Sequence, residues 1–146
     1  MSVITVALIL SSFISLYAKD ELIVYPNQNL GSVVENLKEG STLIIKAGTY
    51  KVDNIKITKS ISIIGENFPI IEGNNKDEVF TITANNVTIT GLVIKNAGVS
   101  FLQENAAIKL NEVSNCRIEN NILKNNFFGI YLSKSFNCVI KNNKIE

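Results

Sequence analysis

A six-residue phrase returns four times along the chain, as "SISIIG" (Ser60 to Gly65), "NVTITG" (Asn86 to Gly91), "NCRIEN" (Asn115 to Asn120) and "NCVIKN" (Asn137 to Asn142). Their first residues lie 26, 29 and 22 positions apart. The last interval holds along its whole length: Ala107-Ile108-Lys109-Leu110 returns as Gly129-Ile130-Tyr131-Leu132, and Asn120-Asn121 returns as Asn142-Asn143. A period of 20 to 30 residues made of short strands and Asn/Gly turns describes a solenoid, and the absence of a helix within each repeat selects a parallel β-helix over a leucine-rich horseshoe. Each repeat is one coil, and four or five are expected.

In such a solenoid each strand pairs with its equivalent one coil away, and alternate side chains point into a shared core. The spacing therefore names two inward columns: Ile61 and Ile63, Val87 and Ile89, Cys116 and Ile118, Cys138 and Ile140. It also stacks Ile108 under Ile130 and Leu110 under Leu132. The composition agrees, with 22 Ile and 20 Asn in 146 residues. Ile favours strands and Asn favours turns.

One segment breaks the two-residue period. In "NQNLGSVVENLKEGS" the residues Leu30, Val33, Val34 and Leu37 make a narrow helical stripe, Ser32 and Glu35 form a capping-box pattern, and Gly40 stands where a left-handed stop belongs. A short amphipathic helix over Leu30 to Lys38 is predicted to lie across the first coil and shield its apolar end. Upstream, the first eighteen residues carry no charge and end in "VALILSSFISLYA". They read as an export signal cleaved after Ala18, although no Lys or Arg precedes the apolar run, which leaves an uncleaved anchor as the other reading. The expected organisation is a signal peptide at 1–18, a cap with its helix at 19–40 and β-helix coils at 41–146. The coils stop at Glu146 without a polar cap, so a truncated solenoid prone to end-to-end self-association is expected.

Charge and residue inventory remove several functions. Fourteen Lys and Arg against thirteen Asp and Glu give a net charge of +1, no reason to bind nucleic acid or an anionic membrane. The chain has no His, which removes Ser-His-Asp triads and His-containing metal sites. Asp53 and Asp77 fall in different coils, the Glu residues are scattered, and the single Arg117 pairs by position with Glu119. Without two facing carboxylates, or acidic metal ligands beside a base, the stretch reads as non-catalytic. Thr90, Glu119 and Lys141 share an outward column, where Glu119 and Lys141 suit a cross-coil ion pair. Asn120, Asn121, Asn142 and Asn143 register in successive coils and read as a structural ladder of side-chain amides. Gly48, Gly65, Gly73 and Gly91 mark bends, with no phosphate-loop spacing. Outward Tyr131 and the turn aromatics Phe127, Phe128 and Phe136 either close turns or form a recognition surface for sugar rings or a partner.

The stretch "LKEGSTLIIKAGTYKVDNIKITKSISIIGENFPIIEG" (Leu37 to Gly73) resembles the opening coils of right-handed β-helix proteins of the pectate-lyase-like class. "GLVIKNAG" and "NCRIENNILKNNFFGIYLSKSFNCVIKNNKIE" resemble the coil units of the NosD family, periplasmic proteins of copper processing in nitrous-oxide reductase maturation. This resemblance covers approximately Leu22 to Glu146. It implies an all-β, right-handed parallel β-helix, secreted to the periplasm and non-catalytic, working with an ABC-type transporter and maturation proteins. The same motifs occur in carbohydrate-binding and polysaccharide-processing β-helices, which is the alternative. Cys116 and Cys138, one repeat apart, admit three readings: a buried free-thiol ladder where other coils place Ile61 and Val87, a disulfide, or a two-thiolate Cu(I) site in keeping with the family theme. No other cofactor is implied.

Overall fold

Short strands joined by Asn-rich corners wind into successive coils in the computed structural model, which describes residues 19–100 and 102–146. The expected signal segment lies outside the described residues. The first coil holds β1 (Glu21–Val24) and α1 (Leu30–Asn36). The second is made of β2 (Thr42–Ile45), β3 (Thr49–Lys51) and β4 (Ile55–Ile57), and the third of β5 (Ser62–Gly65), β6 (Ile70–Glu72) and β7 (Phe80–Ile82). The fourth comprises β8 (Thr88–Thr90), β9 (Val93–Lys95) and β10 (Ala106–Asn111), and the fifth β11 (Arg117–Glu119), β12 (Ile122–Lys124) and β13 (Phe128–Ser133). The sixth has β14 (Val139–Lys141) and β15 (Lys144–Ile145).

Three parallel sheets run along the axis, in the orders β1-β2-β5-β8-β11-β14, β3-β6-β9-β12-β15 and β4-β7-β10-β13. The first sheet has six rungs, against the four or five expected. The extra rung is β1, which matches no repeat yet pairs in register with β2 from Glu21↔Thr42 to Val24↔Ile45. Strand pairing is made by backbone groups, so it does not require the repeat motif. The stretch read as a cap thus contributes a strand to the sheet as well as the helix.

The core lies between the sheets. Leu43, Ile63, Ile89, Ile118 and Ile140 stack in one column, and the first four are wholly buried. Ile108 sits between Phe80 and Ile130, and Leu110 between Ile82 and Leu132. The columns open at their last members: Ile140 and Leu132 are each 42% exposed, because no further coil among the described residues covers them.

The Asn surplus is a requirement of the corners. Asn86, Asn115 and Asn137, which open three of the repeats, have φ of 57°, 59° and 52°, and Asn120 and Asn142 both have φ of 55°. Asn tolerates this left-handed region because its short side chain hydrogen-bonds locally. Gly91, at the place equivalent to Asn120, has φ of 77° and a further constraint: a Cβ there would meet the Gly65 carbonyl oxygen at 2.7 Å.

The helix is capped by a residue other than the one the sequence suggests. Asn29 is the N-cap, its side chain accepting from the Ser32 N–H at 2.9 Å, so Ser32 lies inside the first turn. The helix ends at Asn36 with Leu37 extended. Gly40 is left-handed (φ 80°) but serves the turn into β2, donating its N–H to the Ser60 carbonyl at 2.8 Å. Leu30 and Val34 are buried, and α1 packs against β4 at the N-terminal end of the four-stranded sheet.

Candidate functional site

Cys116 and Cys138 immediately precede β11 and β14, and the pairing of Arg117 with Val139 sets one cysteine directly over the other. The Val139 N–H donates to the Cys116 carbonyl at 2.8 Å. Both are free thiols, Cys116 buried and Cys138 half-buried. The Cys116 thiol lies 3.5 Å from the Ala84 carbonyl oxygen and 3.7 Å from that of Ser114, while the Cys138 thiol lies 3.4 Å from that of Phe136. Burial pushes the Cys116 thiol above its ordinary pKa; backbone hydrogen bonds from Val87 and Asn86 oppose this, and the neighbouring Cys138 side chain, in hydrogen-bonding contact, adds to it. The site is therefore a pair of free thiols at the end of an aliphatic column, placed in register by the coil repeat.

The four ladder asparagines divide their roles. Asn120 and Asn142 supply left-handed corners. Asn121 and Asn143 supply the hydrogen bonds: Asn121, 1% exposed, accepts from the Leu92 N–H at 3.1 Å and donates to the Ile89 carbonyl at 3.1 Å. It also donates to the Asn143 side chain at 3.0 Å, and Asn143 in turn donates to the Ile118 carbonyl at 2.7 Å. Asn126 repeats the arrangement at another corner, accepting from the Ala97 N–H at 3.0 Å and donating to the Ile94 carbonyl at 3.1 Å. The sequence reading passed over Asn126, although the doublet Asn125-Asn126 after Lys124 matches Asn142-Asn143 after Lys141.

On the outer surface, two expectations change. Asp53 and Asp77, expected apart in different coils, converge on one amide: Asn74 Nδ2 donates to Asp53 at 3.2 Å and to Asp77 at 3.0 Å. They come together because Asn74 folds back on itself, its Oδ1 accepting from the Lys76 and Asp77 N–H groups. Asp53 and Asn74 line an open cleft with Lys51, Glu72 and Asn75. Glu119 is in register with Lys141 but binds Arg117, at 2.7 Å. Residues two apart on one strand share a face, so the long guanidinium reaches its neighbour without crossing to the next coil. Among the aromatics, Phe128 and Tyr131 have ring centroids 5.9 Å apart, and the Lys109 ammonium lies 5.7 Å from the Tyr131 ring centre. Phe127, Phe128 and Phe136 are all substantially exposed.

Parallel coils, left-handed asparagine corners and a buried amide ladder define a parallel β-helix solenoid, here carrying a registered pair of thiols. Within that class the chain belongs to the NosD family: the family model described as "Periplasmic copper-binding protein (NosD)" matches residues 31–146. No curated protein and no solved structure matches the chain. Among the described residues no helix is long and apolar enough to cross a membrane.

The family description names copper, so the residues can be tested for a fit. Among the described residues no three His, Cys, Asp or Glu side chains gather where they could hold a metal ion. A site for Cu(II), which favours several nitrogen and oxygen ligands, has no match in that set. Two adjacent thiols suit soft Cu(I).

Proposed function

We propose that the chain is a non-catalytic accessory protein of the periplasm, reached through an N-terminal export signal, that serves copper processing during maturation of nitrous-oxide reductase beside an ABC-type transporter. The observation that carries this reading is membership of the NosD family over 31–146, the stretch that forms nearly all of the coils. The physics of the solenoid suits such a role. Stacked coils present long, rigid faces to a partner, and the interior between the described sheets is filled mainly by aliphatic side chains. The test is genetic. In a host respiring nitrous oxide, deletion of the gene is expected to leave the reductase without its copper and the cells accumulating nitrous oxide, with recovery on complementation. A fully copper-loaded reductase in the deletion strain would reject the proposal.

The second reading, a carbohydrate-binding or polysaccharide-processing β-helix, is favoured by one observation: Asp53 and Asp77 share the Asn74 amide at the edge of a cleft. Two close carboxylates are what sugar hydrolysis needs. On that reading, polysaccharide retention in affinity electrophoresis falls in Asp53→Asn. Unretarded migration of the native chain through every polysaccharide tried would discard it.

A further inference from the structure

We infer that Cys116 and Cys138 are a modification site, closing into an intramolecular disulfide that ties the sixth coil to the fifth when the chain meets a disulfide-bearing oxidant. The inference goes beyond the accessory role and does not rest on it.

Backbone register carries it. The two cysteines are bracketed by pairings of equal offset, the bridge Ser114↔Phe136 before them and Arg117↔Val139 after them. The Phe136 N–H donates to the Val113 carbonyl at 3.1 Å and the Val139 N–H to the Cys116 carbonyl at 2.8 Å, so no bulge intervenes and one cysteine stands over the other. Neighbouring strands lie about 4.8 Å apart, inside the Cα separation of roughly 4.4 to 6.8 Å that disulfides span. The side chains leave the backbone alike: each sulfur lies against the carbonyl oxygen two residues earlier, Cys116 at 3.7 Å from Ser114 and Cys138 at 3.4 Å from Phe136. A thiol is a weak donor, so either can leave that contact and turn toward its neighbour at little cost.

Burial assigns the order of events. Cys116 is wholly buried beneath Val87 and Val113, whereas Cys138 is half-buried beside the exposed Phe136. The oxidant therefore meets Cys138 first. Its thiolate attacks one sulfur of R–S–S–R, forming a mixed disulfide and expelling RS⁻. The Cys116 thiolate then attacks the Cys138 sulfur and expels the second RS⁻. In sum the two protein thiols lose two electrons and two protons, and the oxidant takes them up as two RSH. The bond falls where packing is weakest: β14 and β15 are exposed along their whole length, while Ile118 one coil below is wholly buried.

The test uses the full chain, reduced and then equilibrated with oxidised and reduced glutathione, both folded and unfolded in urea. The expected folded product runs as a monomer on a non-reducing gel, is two hydrogens lighter by intact mass, resists N-ethylmaleimide, and yields tryptic peptide 110–117 joined to 135–141. Because stacking holds the thiols together, the folded chain should close under conditions roughly tenfold or more milder than the unfolded chain needs. Amide exchange across 134–146 should be about tenfold slower in the oxidised form. Cys116→Val, in which Val stands as Val87 does in the same column, should stop at glutathione held on Cys138, with circular dichroism to verify folding. The site is overturned if the folded chain keeps two reactive thiols, carries glutathione on both, links only chain to chain, or closes no more readily than the unfolded chain. Exchange that is equally fast in both redox forms overturns the tie between coils, and a folded Cys116→Val chain left unmodified overturns the entry through Cys138. Should that variant fail to fold, the folded and unfolded native chains still decide the site.

Discussion

Asn121 concentrates what a single residue contributes to this fold. Its amide satisfies a buried N–H of Leu92 and a buried carbonyl of Ile89 and meets Asn143 of the next coil. Asn121→Ala leaves those groups unpaired in a dry interior and is expected to lower stability by about 2 kcal/mol, read as a shift of the urea midpoint. Asn120→Gly, at a corner with φ of 55°, keeps the left-handed conformation available and should move the midpoint far less. Tyr50 behaves similarly in the second coil. Its hydroxyl is buried and lies 2.8 Å from the Lys46 carbonyl oxygen and 3.1 Å from that of Val24. Burial raises its pKa from the ordinary 10.0. A folded value above the unfolded one means that the phenol's contribution is complete below the unfolded pKa and is lost as pH rises through the folded one. Chemical denaturation across the alkaline range should therefore show a fall in stability that Tyr50→Phe diminishes, and an unchanged pH profile in that variant would count against the assignment.

At the scale of the element, α1 occupies the place where the four-stranded sheet would otherwise expose an edge. It has only seven residues, too few to be stable alone in water, so it is held by packing rather than by propensity. Leu30, 2% exposed, should then matter more than the cap. Leu30→Ala is expected to destabilise the chain by about 3 kcal/mol and to raise binding of a hydrophobic dye, as the end of the core opens. Loss of the Asn29 cap should be the smaller effect, about 1 kcal/mol. Equal effects from the two substitutions would mean that α1 does not seal the core.

For the molecule as a whole, a solenoid distributes stability between neighbouring coils, so one substitution has a position-dependent effect. Ile89 and Ile140 occupy the same column, but the first is wholly buried and the second 42% exposed. Ile89→Ala is expected to lower stability by about 3 kcal/mol and Ile140→Ala by well under half of that, measured by denaturant unfolding; equal effects would contradict the stacking. The coil period, the inward columns and the thiol register were all legible in the amino-acid order, because strand alternation and repeat length are properties of the chain itself. The family entered by a different route, through the resemblance carried by the coil motifs "GLVIKNAG" and "NCRIENNILKNNFFGIYLSKSFNCVIKNNKIE". What only the tertiary structure decided depends on groups distant in sequence or on backbone alone. β1 joins the sheet through main-chain hydrogen bonds that leave no side-chain pattern. Asp53 reaches Asp77 across a coil through Asn74, and Glu119 binds Arg117 although Lys141 stands in register beside it. Periodicity determines which residues face inward; where the polar side chains between those positions find their partners is set by distances that exist only once the coils have stacked.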